Sequence, residues 1–178
     1  MGFCIFTCRS IVLFINTKLY SVEKSKYIHK LNEGNKVINL KPKKIGVLGP
    51  PNVGKTSILS ILKQEYEGIQ DIKPTKGVER SFFQLMSDDL VVWDYGGQEI
   101  YRDRYLKSAE KYLNDLDFVY YVVDVQANSH QKNIDYLKAL YDKIVEYNKE
   151  VVFVLVFNKL DPELKNRIQL YEETIEKI

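Results

Sequence analysis

The sequence predicts an α/β domain: one mixed, mostly parallel sheet of about six strands, with helices on both faces. Three observations carry that expectation. A glycine-rich loop, Gly49-Pro50-Pro51-Asn52-Val53-Gly54-Lys55-Thr56, fits the phosphate-binding pattern G-x-x-x-x-G-K-[ST] and lies between an apolar run and a helix-like one. From Lys44 onward, β-branched and aromatic runs alternate with segments of helical periodicity. One pair of runs, Val78–Met86 and Leu90–Trp93, is separated by the turn residues Ser87-Asp88-Asp89 and reads as an antiparallel hairpin.

In order along the chain, Lys44–Leu48 reads as a buried strand, and Lys55 to about Tyr66 as the helix after the loop. Gly68 to Gly77 is punctuated by Pro74 and Gly77 and reads as a loop before the hairpin. A helical stretch follows Gln98. Asp117–Val123 is dense enough in Val, Phe and Tyr for a central strand, and Glu150–Phe157 for another. Between them, Ile134, Leu137, Leu140, Tyr141, Ile144 and Val145 define the apolar face of a helix over Asn133–Tyr147. Pro162 suits the start of a last helix toward Ile178.

The loop's chemistry follows from its backbone. Turn N–H groups, joined by the unpaired N–H groups of the helix start, form an anion hole for a β-phosphate. Gly49 and Gly54 permit the tight path, Asn52, Val53 and Ser57 complete the nucleotide-binding stretch, Lys55 bridges the β- and γ-phosphates, and the Thr56 hydroxyl ligates Mg²⁺. Three further stretches fall at loops where open α/β sheets bind ligands. In Trp93-Asp94-Tyr95-Gly96-Gly97-Gln98, Asp94 is a second magnesium ligand. Gly97 offers its N–H to the γ-phosphate, and Gln98 orients the attacking water. In Asn158-Lys159-Leu160-Asp161, the Asp161 carboxylate accepts from guanine N1 and N2, a donor pair adenine lacks; Asn158 ties the base to the loops, and the Lys159 stem lies along it. In Pro74-Thr75-Lys76-Gly77, Thr75 is a third magnesium ligand available only with a triphosphate, which would make its loop a switch.

Together these motifs resemble the small GTPases of the Ras superfamily. Trp-Asp-x-Gly-Gly-Gln, Pro-Thr-x-Gly and Tyr121-Val122-Val123-Asp124-Val125 are most similar to the Arf and Rag/Gtr branches. The resemblance covers Lys44 to about Leu164. It implies a G domain that binds GTP and GDP with Mg²⁺, hydrolyses GTP slowly, and signals to effectors and to activating or exchange proteins through its switch loops. No loop arginine presents itself as an internal finger; Arg102 and Arg104 are the nearest, and both read as partner or solvent contacts. Two other readings of the residues stay open: a guanine-nucleotide scaffold that scarcely hydrolyses, and an ATP-using P-loop enzyme.

Such a G domain continues past the Asn-Lys-x-Asp loop with a helix, a sixth strand and a second guanine-contacting loop, more than follows Asp161 here. Residues 1–43 therefore read as an N-terminal segment ahead of a GTP-binding core over 44–178, and as a candidate for the missing end. Gly2–Phe6 reads as a strand, and Thr7-Cys8-Arg9 resembles the Thr-Cys-Ala loop of Arf proteins, which makes Cys8 and Arg9 candidate guanine contacts. Thr17–Ser21 and Ser25–Leu31 resemble the final helix of the Rag branch. This circular permutation predicts that residues 2–6 pair in parallel with Val151–Phe157; the alternative is an unrelated appendage that docks an effector or a membrane surface.

Composition narrows the class. At 178 residues, 45% hydrophobic and 28% charged, the chain has the size and balance of one soluble domain. A net charge of +2 argues against nucleic acid as a partner, and two cysteines support neither a disulfide framework nor a metal site. His29 and His130 are isolated and read as solvated. The apolar stretch Phe3–Ile15 is interrupted by Thr7, Arg9 and Ser10, too polar for a membrane span. A myristoylation pattern at Gly2 is displaced by one position, to Thr7, so a membrane-surface role draws little support. The expected compartment is the cytoplasm.

Overall fold

The computed structural model describes Ile5–Thr7, Ser10–Ile15 and residues 42–65, 72–85, 88–127 and 130–159. Its strands are β1 (Ile5–Thr7), β2 (Ser10–Ile15), β3 (Lys43–Leu48), β4 (Val78–Leu85), β5 (Asp88–Tyr95), β6 (Phe118–Asp124) and β7 (Val152–Asn158). The helices are α1 (Lys55–Leu62), α2 (Glu99–Lys107), α3 (Ala109–Leu113) and α4 (His130–Tyr147). All strands join one sheet in the order β1-β2-β7-β6-β3-β5-β4.

The centre of the sheet is parallel, through the pairs β5–β3, β3–β6 and β6–β7. The strands nearest the middle are buried on both faces, which is why they read as continuous apolar runs. On one face, Tyr121, Val123, Phe153, Leu155 and Phe157 pack with Leu113, Leu137, Leu140 and Ile144 of α3 and α4. On the other, Val47, Val92, Val122 and Val154 pack with Leu59 of α1. The predicted α/β class with helices on both faces is therefore the observed one.

The strand count and edges differ from expectation. Among the described residues the sheet has seven strands, and antiparallel strands lie toward both edges: β4 pairs with β5, and β2 with β7. The predicted parallel partnership between residues 2–6 and Val151–Phe157 does not form. Instead β2 runs antiparallel to β7, from Ile11 opposite Phe157 to Ile15 opposite Phe153, and β1 lies one strand farther out. The physical reason is in the sequence: Ser10–Ile15 is the longer apolar run, and a two-residue link after Thr7 can only fold a neighbouring strand back antiparallel. The circular permutation falls with that pairing. Cys8, Arg9, Asp161 and the segments expected as helices after Thr17 and Pro162 lie outside the described residues.

Two boundaries also moved. The β4–β5 ladder continues to Leu85 opposite Asp88, so Asp88 and Asp89 belong to the strand and not to a turn. Helix α1 ends at Leu62, short of Tyr66. Gln64 takes φ 62°, its N–H donates to the Ile61 carbonyl (3.0 Å), and the Glu65 N–H donates to the Ser60 carbonyl (2.8 Å). This paired closure of the last turn usually uses glycine, and without one the sequence shows no stop signal.

Candidate nucleotide and cation site

The loop between β3 and α1 leaves the sheet at the carboxyl end of β3, which lies between the parallel strands β5 and β6. Gly49 has φ +140°, and a Cβ there would overlap the Val122 carbonyl oxygen, so the loop can lie flat against β6 only without a side chain. Gly54 has φ +92° and caps α1 with no side-chain bond, which leaves the helix-start N–H groups directed at the loop's interior. Lys55 is 6% exposed and donates from Nζ to the carbonyls of Gly49 (3.0 Å) and Pro50 (2.7 Å). Burial lowers its pKa to about 8; the Asp94 carboxylate opposes that shift and the Arg102 guanidinium adds to it.

Thr56, Thr75 and Asp94 come from α1, the loop before β4, and β5. The Thr56 hydroxyl donates to Asp94 Oδ2 at 2.7 Å, the Thr75 hydroxyl to the same oxygen at 3.1 Å, and the two hydroxyls are 3.0 Å apart. Thr75 and Asp94 are buried, and Asp94 Oδ1 has no hydrogen-bond partner among the described residues. A buried carboxylate oxygen beside two hydroxyls is a hard-oxygen set suited to Mg²⁺, so these three residues fit that ion.

The stretch after β5 closes over the same point. A Cβ on Gly97 would overlap the Pro50 carbonyl and stand 2.6 Å from Lys55 Nζ. Gln98 caps α2 through its extended backbone, with no side-chain cap bond, and is exposed. It lines, with Lys55, Thr56, Ser57, Thr75 and Gly97, a cleft of about 300 Å³. The Asn-Lys pair closes the other side. Asn158 Nδ2 donates to the Val53 carbonyl (2.8 Å), and Lys159 Nζ to the Asn52 carbonyl (2.8 Å). Asn52 and Lys159 both have positive φ, 60° and 57°.

A family model, the Gtr1/RagA G protein conserved region, matches residues 44–178. This chain belongs to the Gtr1/RagA G-protein family. Curated relatives agree with the branch. The Ras-related GTP-binding protein A of Dictyostelium discoideum is 27% identical over 123 residues, 67% of this chain and 41% of that protein. The ADP-ribosylation factor-like protein 3 of Saccharomyces cerevisiae is 27% identical over 139 residues, 74% of this chain and 67% of that protein. The probable tRNA modification GTPase MnmE of Cyanidium caldarium is 28% identical over 176 residues, 95% of this chain and 34% of that protein. The chain thus spans about two fifths of the Dictyostelium protein and a third of the Cyanidium one.

In this Gtr1/RagA-family chain the structure adds a residue to which sequence reasoning assigned no role. Asp124, the last residue of β6, accepts from Lys159 Nζ through Oδ2 at 2.7 Å and from the Gln126 N–H through Oδ1 at 2.9 Å. The signal was a carboxylate closing an apolar strand at the ligand end of the sheet. Arg102 also differs from expectation: its guanidinium packs inward over the Tyr136 ring, 4.0 Å from the centroid. Arg104 lies 5.8 Å over Tyr101 and is exposed.

Proposed function

We propose that this chain is a GTP-binding molecular switch that hydrolyses GTP to GDP and phosphate. The single observation that carries the proposal is the meeting of Thr56, Thr75 and Asp94 on one buried carboxylate oxygen beside the Lys55 loop. Three segments far apart in sequence have no packing reason to bring two hydroxyls to one carboxylate. A shared cation and phosphate supply one.

In this reading Lys55 and the loop amides hold the phosphates and neutralise charge that develops as the γ-phosphoryl leaves. Thr56, Thr75 and Asp94 would hold magnesium, which supplies further neutralisation of the phosphate oxygens when bound. Gly97 brings its N–H against the γ-phosphate because no side chain intervenes, and Gln98 positions water without deprotonating it. Asn158 and Lys159 brace the base-binding loop on the phosphate loop, and Asp161 selects guanine. Turnover is slow alone, since Arg102 is engaged with Tyr136, and rises with a partner that supplies an arginine. Effectors and regulators read the loops at Thr75 and Gln98. In this reading residues 44–178 are the GTP-binding core, and β1 and β2 of the N-terminal segment 1–43 extend its sheet beyond β7. Among the described residues no helix is long and apolar enough to cross a membrane.

Single-turnover GTP hydrolysis by the wild-type chain and by Gln98→Leu tests the reading. Phosphate release that falls at least tenfold in Gln98→Leu is the expected result. Equal release, at the level of free GTP, leaves a binding scaffold; ATP competing as well as GTP ends the guanine assignment.

A further inference from the structure

The Gly77 carbonyl, two residues past Thr75, accepts two hydrogen bonds. One comes from the Gly96 N–H at 2.7 Å, the other from the Tyr105 hydroxyl at 2.7 Å. Gly96 belongs to the loop that carries Gly97 and Gln98; Tyr105 sits on α2, roughly two turns beyond Gln98. Tyr105 is 1% exposed, and its ring meets Tyr95 edge-on at 5.1 Å and Tyr112 at 5.3 Å. Tyr95 is itself anchored by its hydroxyl on the Tyr112 carbonyl. The donor is therefore held rigidly on the helix side, and burial keeps its phenol protonated by raising its pKa. On the loop side the fit is close: a Cβ on Gly96 would stand 2.5 Å from the Thr75 carbonyl.

We propose that Tyr105 is a positioning residue which fastens the Thr75 loop to the helix that follows Gln98, through their shared contact at the Gly77 carbonyl. The proposal rests on the switch reading above and deepens it. A triphosphate that draws in Thr75 also fixes the helix carrying Gln98, and a diphosphate that leaves Thr75 unheld releases both. The coupling needs no contact between Tyr105 and nucleotide. The Tyr105→Phe change is mild for folding, because the ring remains and the Gly77 carbonyl keeps the Gly96 N–H.

The experiment measures, in saturating Mg²⁺, dissociation constants for GDP and for a non-hydrolysable GTP analogue. Wild type, Tyr105→Phe, Thr75→Ala and the double variant are compared. Tyr105→Phe is expected to weaken the analogue by about three- to tenfold, the loss of one hydrogen bond, while GDP changes by less than about twofold. The double variant is expected to bind the analogue no more weakly than Thr75→Ala alone, because Tyr105 acts through Thr75. A purely structural role would weaken both nucleotides alike or add to the Thr75→Ala loss, and either result overturns the proposal. If Tyr105→Phe does not fold, Gly77→Ala replaces it. It strains a backbone held at φ +73° in open space, shifts the same carbonyl and leaves the tyrosines untouched, so it must show the same GDP/analogue split. A wild-type chain that binds neither nucleotide ends the switch reading and this proposal together; binding of both with no split ends this proposal alone.

Discussion

Replacing Asp124 with Asn removes one charge and little else. In the native pair Lys159 Nζ stands 2.7 Å from Asp124 Oδ2, and the side chains are 39% and 15% exposed. Two unit charges about 4 Å apart near a protein surface attract by about 4 kcal/mol, whereas fully exposed pairs yield less than about 1 kcal/mol. Partial burial of the carboxylate places the net effect between these, at about 1.4 kcal/mol, or about tenfold in affinity. The Asn oxygen can keep the Gln126 N–H, but its NH₂ then faces the ammonium, donor against donor. Among the described residues Lys159 then retains the Asn52 carbonyl alone, so the brace between the base loop and the phosphate loop weakens. The expected result is fluorescent GDP leaving Asp124→Asn about ten times faster than wild type, with the difference shrinking in high salt. In a cycle with Lys159→Met, the two losses should not add. A release rate within twofold of wild type, or full additivity, would refute the assignment of Asp124 to the site.

Three further outcomes follow from the same geometry. Asp94→Asn is expected to weaken GDP at least tenfold in Mg²⁺ but to match wild type in chelator, since it replaces the buried carboxylate that suits a cation with a neutral amide; paired titrations check this. Lys55 titrates near 8 folded and near 10.5 unfolded, so the unfolded chain binds more protons between those values. The nucleotide-free chain should therefore gain stability as pH rises from about 8 to 10.5, while nucleotide affinity, flat below about 8, declines over that window; denaturant melts and binding across pH 7–10 check both signs. Leu137→Ala, at a fully buried position of α4, should cost about 2–5 kcal/mol of stability in denaturant titration while GDP affinity in the folded fraction stays unchanged.

Most of the phosphate loop was legible in the sequence because its code is local. Gly49 and Gly54 are needed for left-handed or crowded backbone, and Lys55 and Thr56 follow within one turn, so spacing alone places them. The central strands were legible because burial on both faces leaves unbroken runs such as Phe118–Val123 and Val152–Phe157. The end of α1 was not, because Gln64 supplies a conformation that glycine usually announces. The edge beyond β7 was misread because the similarity of Thr7-Cys8-Arg9 to a guanine-contacting loop assigned the strand before it, Gly2–Phe6, to β7, while pairing went to the longer apolar run at Ser10–Ile15.

By itself, then, the sequence determined the fold class, the branch it resembles and the candidate residues Lys55, Thr56, Thr75, Asp94, Gln98, Asn158 and Lys159. Each rests on periodicity or on a motif whose chemistry is carried by neighbouring atoms. Only the tertiary structure decided that Thr56, Thr75 and Asp94 share one oxygen, that Asp124 holds Lys159, and that Tyr105 reaches the Gly77 carbonyl. Those contacts join residues 19 to 38 positions apart, and they depend on strand order and register, which no local pattern encodes.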